Sequence, residues 1–155
     1  MIQRIQSIYF LLAGLLPAFL FWLPTVSLFP KDGNGEASFM LTGFGLVQSS
    51  NQTLHTPAYG VLLFTILAIV LPLAAIFCFK NRKRQIRLAN LHLISVLMLC
   101  LSVLAYGYSF AGGTGNTMAF QWGICFPLLS YAMGFLARRA VRKDEELIRS
   151  TERFR

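Results

Sequence analysis

His92, Ser95, Leu99, Ser102, Tyr106 and Ser109 recur at steps of three and four, the spacing that puts side chains on one face of a helix. An imidazole, hydroxyls and a phenol on an otherwise apolar helix form a row of donors and acceptors. In apolar surroundings each of them must find a partner. Two kinds of chemistry fit. One is a hydrophilic path or small-ligand site between helices. The other is plain interhelical hydrogen bonding, which contributes about 0.6 kcal/mol per contact and at most about 1 to 2 kcal/mol. His92, Ser95, Ser102, Tyr106 and Ser109 are therefore the candidate polar residues inside the helical part. His92 itself reads either as a hydrogen-bonding or headgroup residue or as a proton relay.

Other chemistry is excluded by what is missing. Cys78, Cys100 and Cys125 form no Cys-x-x-Cys pair and fall inside predicted helices, so they read as packing residues rather than redox centres. His55 and His92 fall on opposite sides of a membrane in the arrangement below, and no nucleophile and base are paired. No catalytic, cofactor-binding or metal-binding residue is expected, and no cofactor. Proton- and cation-coupled carriers use Asp or Glu inside the membrane, and no predicted span has one. That counts against the small multidrug exporters, and the missing cysteine pairs count against four-span disulfide and quinone enzymes. Gly43-Phe44-Gly45 lacks the strand-loop-helix setting of a phosphate loop. Asn51-Gln52-Thr53 matches a glycosylation sequon that matters only on a eukaryotic secretory route.

The elements that would position the polar row follow from composition. The chain has 155 residues, 55% of them hydrophobic, with a mean hydropathy of +0.59. Its uncharged residues gather in runs of about 20, enough to cross a hydrocarbon core of roughly 30 Å. The first run starts after Arg4. Its middle is too long and too aromatic for a cleaved signal peptide, so it is expected to stay as an anchor. From Leu88 to Ala137 there is no formal charge apart from the titratable His92, and one helix of that length would measure roughly 75 Å. The chain must therefore turn, and Ala111-Gly112-Gly113-Thr114-Gly115-Asn116-Thr117 is where it does so.

The expectation is an all-α integral membrane protein, a bundle of four transmembrane helices near 5–27, 59–79, 89–110 and 118–137. Residues 1–140 form the transmembrane domain and 141–155 a cytoplasmic amphipathic tail. Small residues mark packing seams: Ala119, Gly123, Pro127, Ser130, Gly134 and Ala137 on the fourth helix, and Gly60, Ala68, Pro72 and Ala75 on the second. In the first loop, Lys31-Asp32-Gly33-Asn34-Gly35 is a turn signal, and a small outer hairpin is expected with strands near 25–29 and 37–41.

All of the 14 basic residues except Lys31 fall on one side of these spans. The retention of Lys and Arg on the cytoplasmic side then puts both termini in the cytoplasm. Trp22, Tyr59, Tyr106, Tyr108 and Trp122 fall near the outer helix ends, as interfacial aromatics do. The net charge of +8 is thus accounted for by orientation, and nucleic acid is not an expected partner. Past Ala140, acids precede bases, Glu145 and Arg149 stand at i, i+4, and a short amphipathic C-terminal helix follows. The candidate contacts to a partner or to anionic lipid are Arg82, Lys83, Arg84, Arg87, Arg138, Arg139, Arg142, Glu145, Arg149 and Arg153, with about 1 kcal/mol available per basic residue at an anionic surface.

Three segments carry a resemblance: Met1-Ile2-Gln3-Arg4-Ile5-Gln6-Ser7-Ile8-Tyr9, Arg84-Gln85-Ile86-Arg87-Leu88, and Asp144-Glu145-Glu146-Leu147-Ile148-Arg149-Ser150-Thr151-Glu152-Arg153-Phe154-Arg155. Together they resemble a family of small bacterial membrane proteins known from Bacteroidetes, domain-of-unknown-function family 4293, over the whole length. The resemblance implies a four-helix inner-membrane protein and brings no activity or catalytic residues. The leading expectation is a non-enzymatic inner-membrane accessory or scaffold protein. Its basic loop and tail would meet membrane lipids, a membrane-protein partner or a second copy of the chain. The alternative is a channel or carrier for a neutral or lipid-like solute along the polar row.

Overall fold

The computed structural model describes residues 2–30, 37–51, 53–78 and 81–153, with side chains given for these except 2–5, 114 and 147–153. Helix α1, Ile2–Leu15, tightens into a 3₁₀ stretch, Leu16–Phe21. Four strands follow: β1 Val26–Phe29, β2 Phe39–Leu41, β3 Gly45–Gln48 and β4 Leu54–Pro57. Helices α2, Tyr59–Phe77, and α3, Arg82–Thr114, lead to strand β5, Thr117–Phe120. A 3₁₀ turn, Trp122–Ile124, opens the last helix, α4, Cys125–Arg153.

Local chemistry sets several of these boundaries. Pro17 stands at the start of the 3₁₀ stretch, where its missing donor and fixed φ cost nothing. Pro127 falls in the first turn of α4, whose N–H groups have no intrahelical acceptor in any case. Helix α3 ends where Gly115 takes a left-handed φ of 68°, a conformation that glycine adopts without a Cβ clash. Pro72 lies inside α2 and is buried there.

Helix α1 packs on α2 and α4, and α3 packs on α2 and α4, which closes a cycle of four helices. The sheet caps one end of it. Its order is β4-β3-β2-β1-β5, with every neighbouring pair antiparallel. In the centre, Ser27 of β1 stands opposite Met40 of β2 and Ala119 of β5. Gln121 N–H donates to the Thr25 carbonyl at 3.0 Å and Gly123 N–H to that of Pro24 at 3.2 Å, which carries the β1–β5 pairing on into the start of α4. Leu20, Val26, Leu28, Leu41, Leu46, Val61, Leu99 and Val103 bury together where the sheet meets the helices. A second cluster of Phe10, Ala75, Ala89, Ala137 and Val141 lies toward the other end.

The sheet overturns the all-α class expected from the sequence. The two strands expected near 25–29 and 37–41 are β1 and β2, but they are two strands of five. Residues 117–120, assigned above to a turn and the start of a fourth span, instead pair with β1. The physical reason is that Thr-Met-Ala-Phe is as apolar as the helix that follows it. In a charge-free run, periodicity alone does not separate a short buried strand from a helical turn. The turn signal at 31–35 lies outside the described residues, as does Gln52 of the sequon.

The four expected spans also change. Among the described residues, three helices are long and apolar enough to cross a membrane: Tyr59–Phe77, Arg82–Gly113 and Trp122–Glu146. The first apolar helix, Gln6–Phe21, is shorter, and the outer end of the expected first span is strand β1 instead. Phe79 and Lys80 lie outside the described residues. Past Ala140 the chain continues as the last part of α4.

Candidate functional site

Two groups of polar residues stand out, one inside the helices and one at the end away from the sheet. The inner group centres on His92, which is fully buried. Ser130 of α4 donates its hydroxyl proton to the Ala13 carbonyl of α1 at 2.7 Å and lies 3.5 Å from His92 Nε2. A serine has one proton to donate. With it spent on Ala13, Ser130 Oγ can accept from His92 Nε2 in the tautomer that carries a proton there.

The ring fits there because position 134 is glycine. A Cβ on Gly134 would come within 2.6 Å of His92 Cδ2 and 2.8 Å of Nε2, well inside van der Waals contact. Helices α3, α4 and α1 therefore meet at one imidazole, one hydroxyl and one glycine. Ser130 and Gly134 are legible in the sequence as members of a small-residue seam, but not as partners of His92, since nothing in spacing says which helix faces which.

The rest of the polar row divides. Ser95 is buried and donates to the His92 carbonyl at 2.8 Å, and Ser102 donates to that of Leu99 at 2.8 Å. Both hydroxyls are satisfied by their own helix, a common solution in apolar surroundings. Tyr106 OH accepts the Gly60 N–H of α2 at 3.4 Å, and Ser109 is exposed. The row is one face of α3, as its spacing predicts, but it forms no continuous relay of side chains.

At the other end, α3 begins beside the later turns of α4. Arg82 Nη1 donates to the Asp144 carbonyl at 2.9 Å, and Nη2 lies 3.7 Å from the Asp144 carboxylate. Gln6 of α1, which is buried, donates to the Ala140 carbonyl at 3.3 Å. Next to this junction, Lys83, Ile86, Arg87, Arg142, Glu145 and Glu146 line a groove of about 450 Å³ between α3 and α4. Four of the sequence candidates, Lys83, Arg87, Arg142 and Glu145, thus come together. Arg82 ties the helices beside them, whereas Arg84 and Arg139 are exposed outside the groove. Arg138 buries Nε with no partner among the described residues. The side chains of Arg149 and Arg153 lie outside the described residues. Asp144, Glu146 and Gln6 were missed as site residues, because their role depends on α4 running unbroken past Ala140.

Among the described residues, no three His, Cys, Asp or Glu side chains gather in a way that could hold a metal ion. No curated protein matches the chain. A family model aligns with residues 2–154, and the chain belongs to the family described as Domain of unknown function (DUF4293).

Proposed function

We propose that the chain is a multi-pass protein of the bacterial inner membrane, with both termini and the basic helix ends in the cytoplasm and the sheet on the outer side. It acts there as a non-enzymatic accessory or scaffold subunit that engages a membrane-protein partner through the extension of α4, with its basic residues at the level of the lipid headgroups. Length supports the placement. At about 1.5 Å per α residue and about 2 Å per 3₁₀ residue, α1 with its 3₁₀ stretch runs roughly 33 Å, enough for a fourth crossing. Helix α4 runs roughly 43 Å by the same measure, so its last turns project beyond the core. The charge asymmetry then orients the whole by the positive-inside rule.

The observation that carries this reading is the Arg82–Asp144 junction. It fixes the projecting part of α4 against the start of α3, so the basic loop and the tail form one surface. A channel or carrier for a neutral solute has less support, because Ser95 and Ser102 spend their hydroxyls on their own helix.

Cross-linking in the membrane followed by mass spectrometry tests the proposal, comparing the full chain with a form ending at Glu146. A partner recovered in stoichiometric amount with the full chain and lost on truncation is expected. Recovery of only the protein itself and lipid from both forms would overturn the accessory role.

A further inference from the structure

The groove between α3 and α4 carries both signs of charge. Lys83, Arg87 and Arg142 face it together with Glu145 and Glu146, and Ile86 adds an apolar wall. Among the described residues, none of these five is in an ion pair, whereas Arg82 and Asp144 beside them are paired. Lys83, Arg87, Arg142 and Glu146 are exposed, so these charges stay open to a ligand that presents both signs. A simple anion would answer the three cations and leave the two carboxylates unmatched.

The two helix faces that meet in the groove continue as exposed apolar rows. On α3, Lys83 and Arg87 lead at helical spacing to Leu91, Ile94 and Leu101, all exposed. On α4, Arg142 stands seven residues from Phe135 and fourteen from Leu128, both exposed. Charged groups of both signs above two apolar rows match an amphiphile with a phosphate, an ammonium and acyl chains. They do not match a soluble phosphate.

We propose that this groove seats a zwitterionic phospholipid bearing a primary ammonium. Lys83, Arg87 and Arg142 hold its phosphate, with Arg well suited to phosphate oxygens, and Glu145 and Glu146 accept hydrogen bonds from its ammonium. The acyl chains follow the apolar rows of α3 and α4. The inference rests on the reading above that the basic end lies at the cytoplasmic headgroups. A choline headgroup fits less well, because its quaternary nitrogen has no hydrogen to donate to the carboxylates.

The test is lipid retention by the full chain, purified from nanodiscs made with equal amounts of phosphatidylethanolamine, phosphatidylcholine and phosphatidylglycerol. Retained phosphatidylethanolamine is expected to exceed phosphatidylcholine by about fivefold, the factor that a solvent-exposed ion pair can support. The Glu145→Gln/Glu146→Gln form keeps the shape of the groove and should lose that preference while still retaining phospholipid. The Lys83→Ala/Arg87→Ala/Arg142→Ala form should lose retention altogether. Equal retention of the ethanolamine and choline lipids, preference for phosphatidylglycerol, or a preference unchanged by the glutamine form would each overturn the proposal. Fusions of the C-terminus to green fluorescent protein and to alkaline phosphatase separate this outcome from the membrane reading. An active phosphatase fusion would place the basic end outside and defeat that reading. Fluorescence without ethanolamine selectivity would defeat only the headgroup site.

Discussion

A single missing methyl group decides how His92 is held. Gly134 lies against the imidazole so closely that a Cβ would approach Cδ2 to 2.6 Å. Gly134→Ala is therefore expected to destabilise the helical packing by about 1 to 3 kcal/mol, the usual cost of overpacking. Ser130→Ala removes the hydroxyl that joins α1 to His92 without adding volume, and should cost less, about 0.6 kcal/mol and no more than about 2. Unfolding of the purified chain in a graded mixture of detergent and denaturant measures both. A larger loss for Ser130→Ala than for Gly134→Ala would mean that hydrogen bonding, not space, holds the ring. At this scale the sequence showed which residues of α3 share a face, because a period of 3.6 is local information. It did not show that Ser130 and Gly134 receive His92, because the pairing of distant helices is written in no local pattern.

The elements divide along the same line. Helices α2 and α3 were legible from their long apolar runs and from the charged cluster between them, and the β1–β2 hairpin from its two short apolar segments around a turn signal. Strand β5 was not, since it lies far from β1 in sequence and its residues read as the start of a helix. The register is open to a direct test. Ser27 and Ala119 are Cα partners across β1 and β5, and residues facing each other in antiparallel strands lie within reach of a disulfide. In a chain with Cys78, Cys100 and Cys125 replaced by serine, Ser27→Cys/Ala119→Cys should cross-link under mild oxidation. Ser27→Cys/Met118→Cys should not, because a shift of one residue sends the side chain to the other face. Cross-linking of both pairs equally, or of neither, would put residues 117–120 back into an unpaired turn or a helix.

At the scale of the whole molecule, the sheet and the basic end lie at opposite ends of the helices, and each holds together segments remote in the chain. The basic end depends on Arg82, which binds both the backbone and the carboxylate of Asp144. Its side chain is 32% exposed and that of Asp144 16%, so solvent screens the ion pair and its share stays below about 1 kcal/mol. The shorter hydrogen bond to the Asp144 carbonyl then carries more of the attachment, since a charged donor strengthens such a bond. Asp144→Asn keeps that bond and should leave the end of α4 nearly as protected as before. Arg82→Ala removes both contacts and should speed amide hydrogen exchange across the turns from Asp144 onward by about fivefold, which corresponds to about 1 kcal/mol of local opening. Exchange in the first turns of α2 should stay unchanged, because Val61 packs with Leu28, Leu41 and Leu46 at the sheet end of the helices. Equal exchange in all three forms would mean that α4 holds its own end without α3. The basic groove would then lack the fixed geometry on which its binding depends.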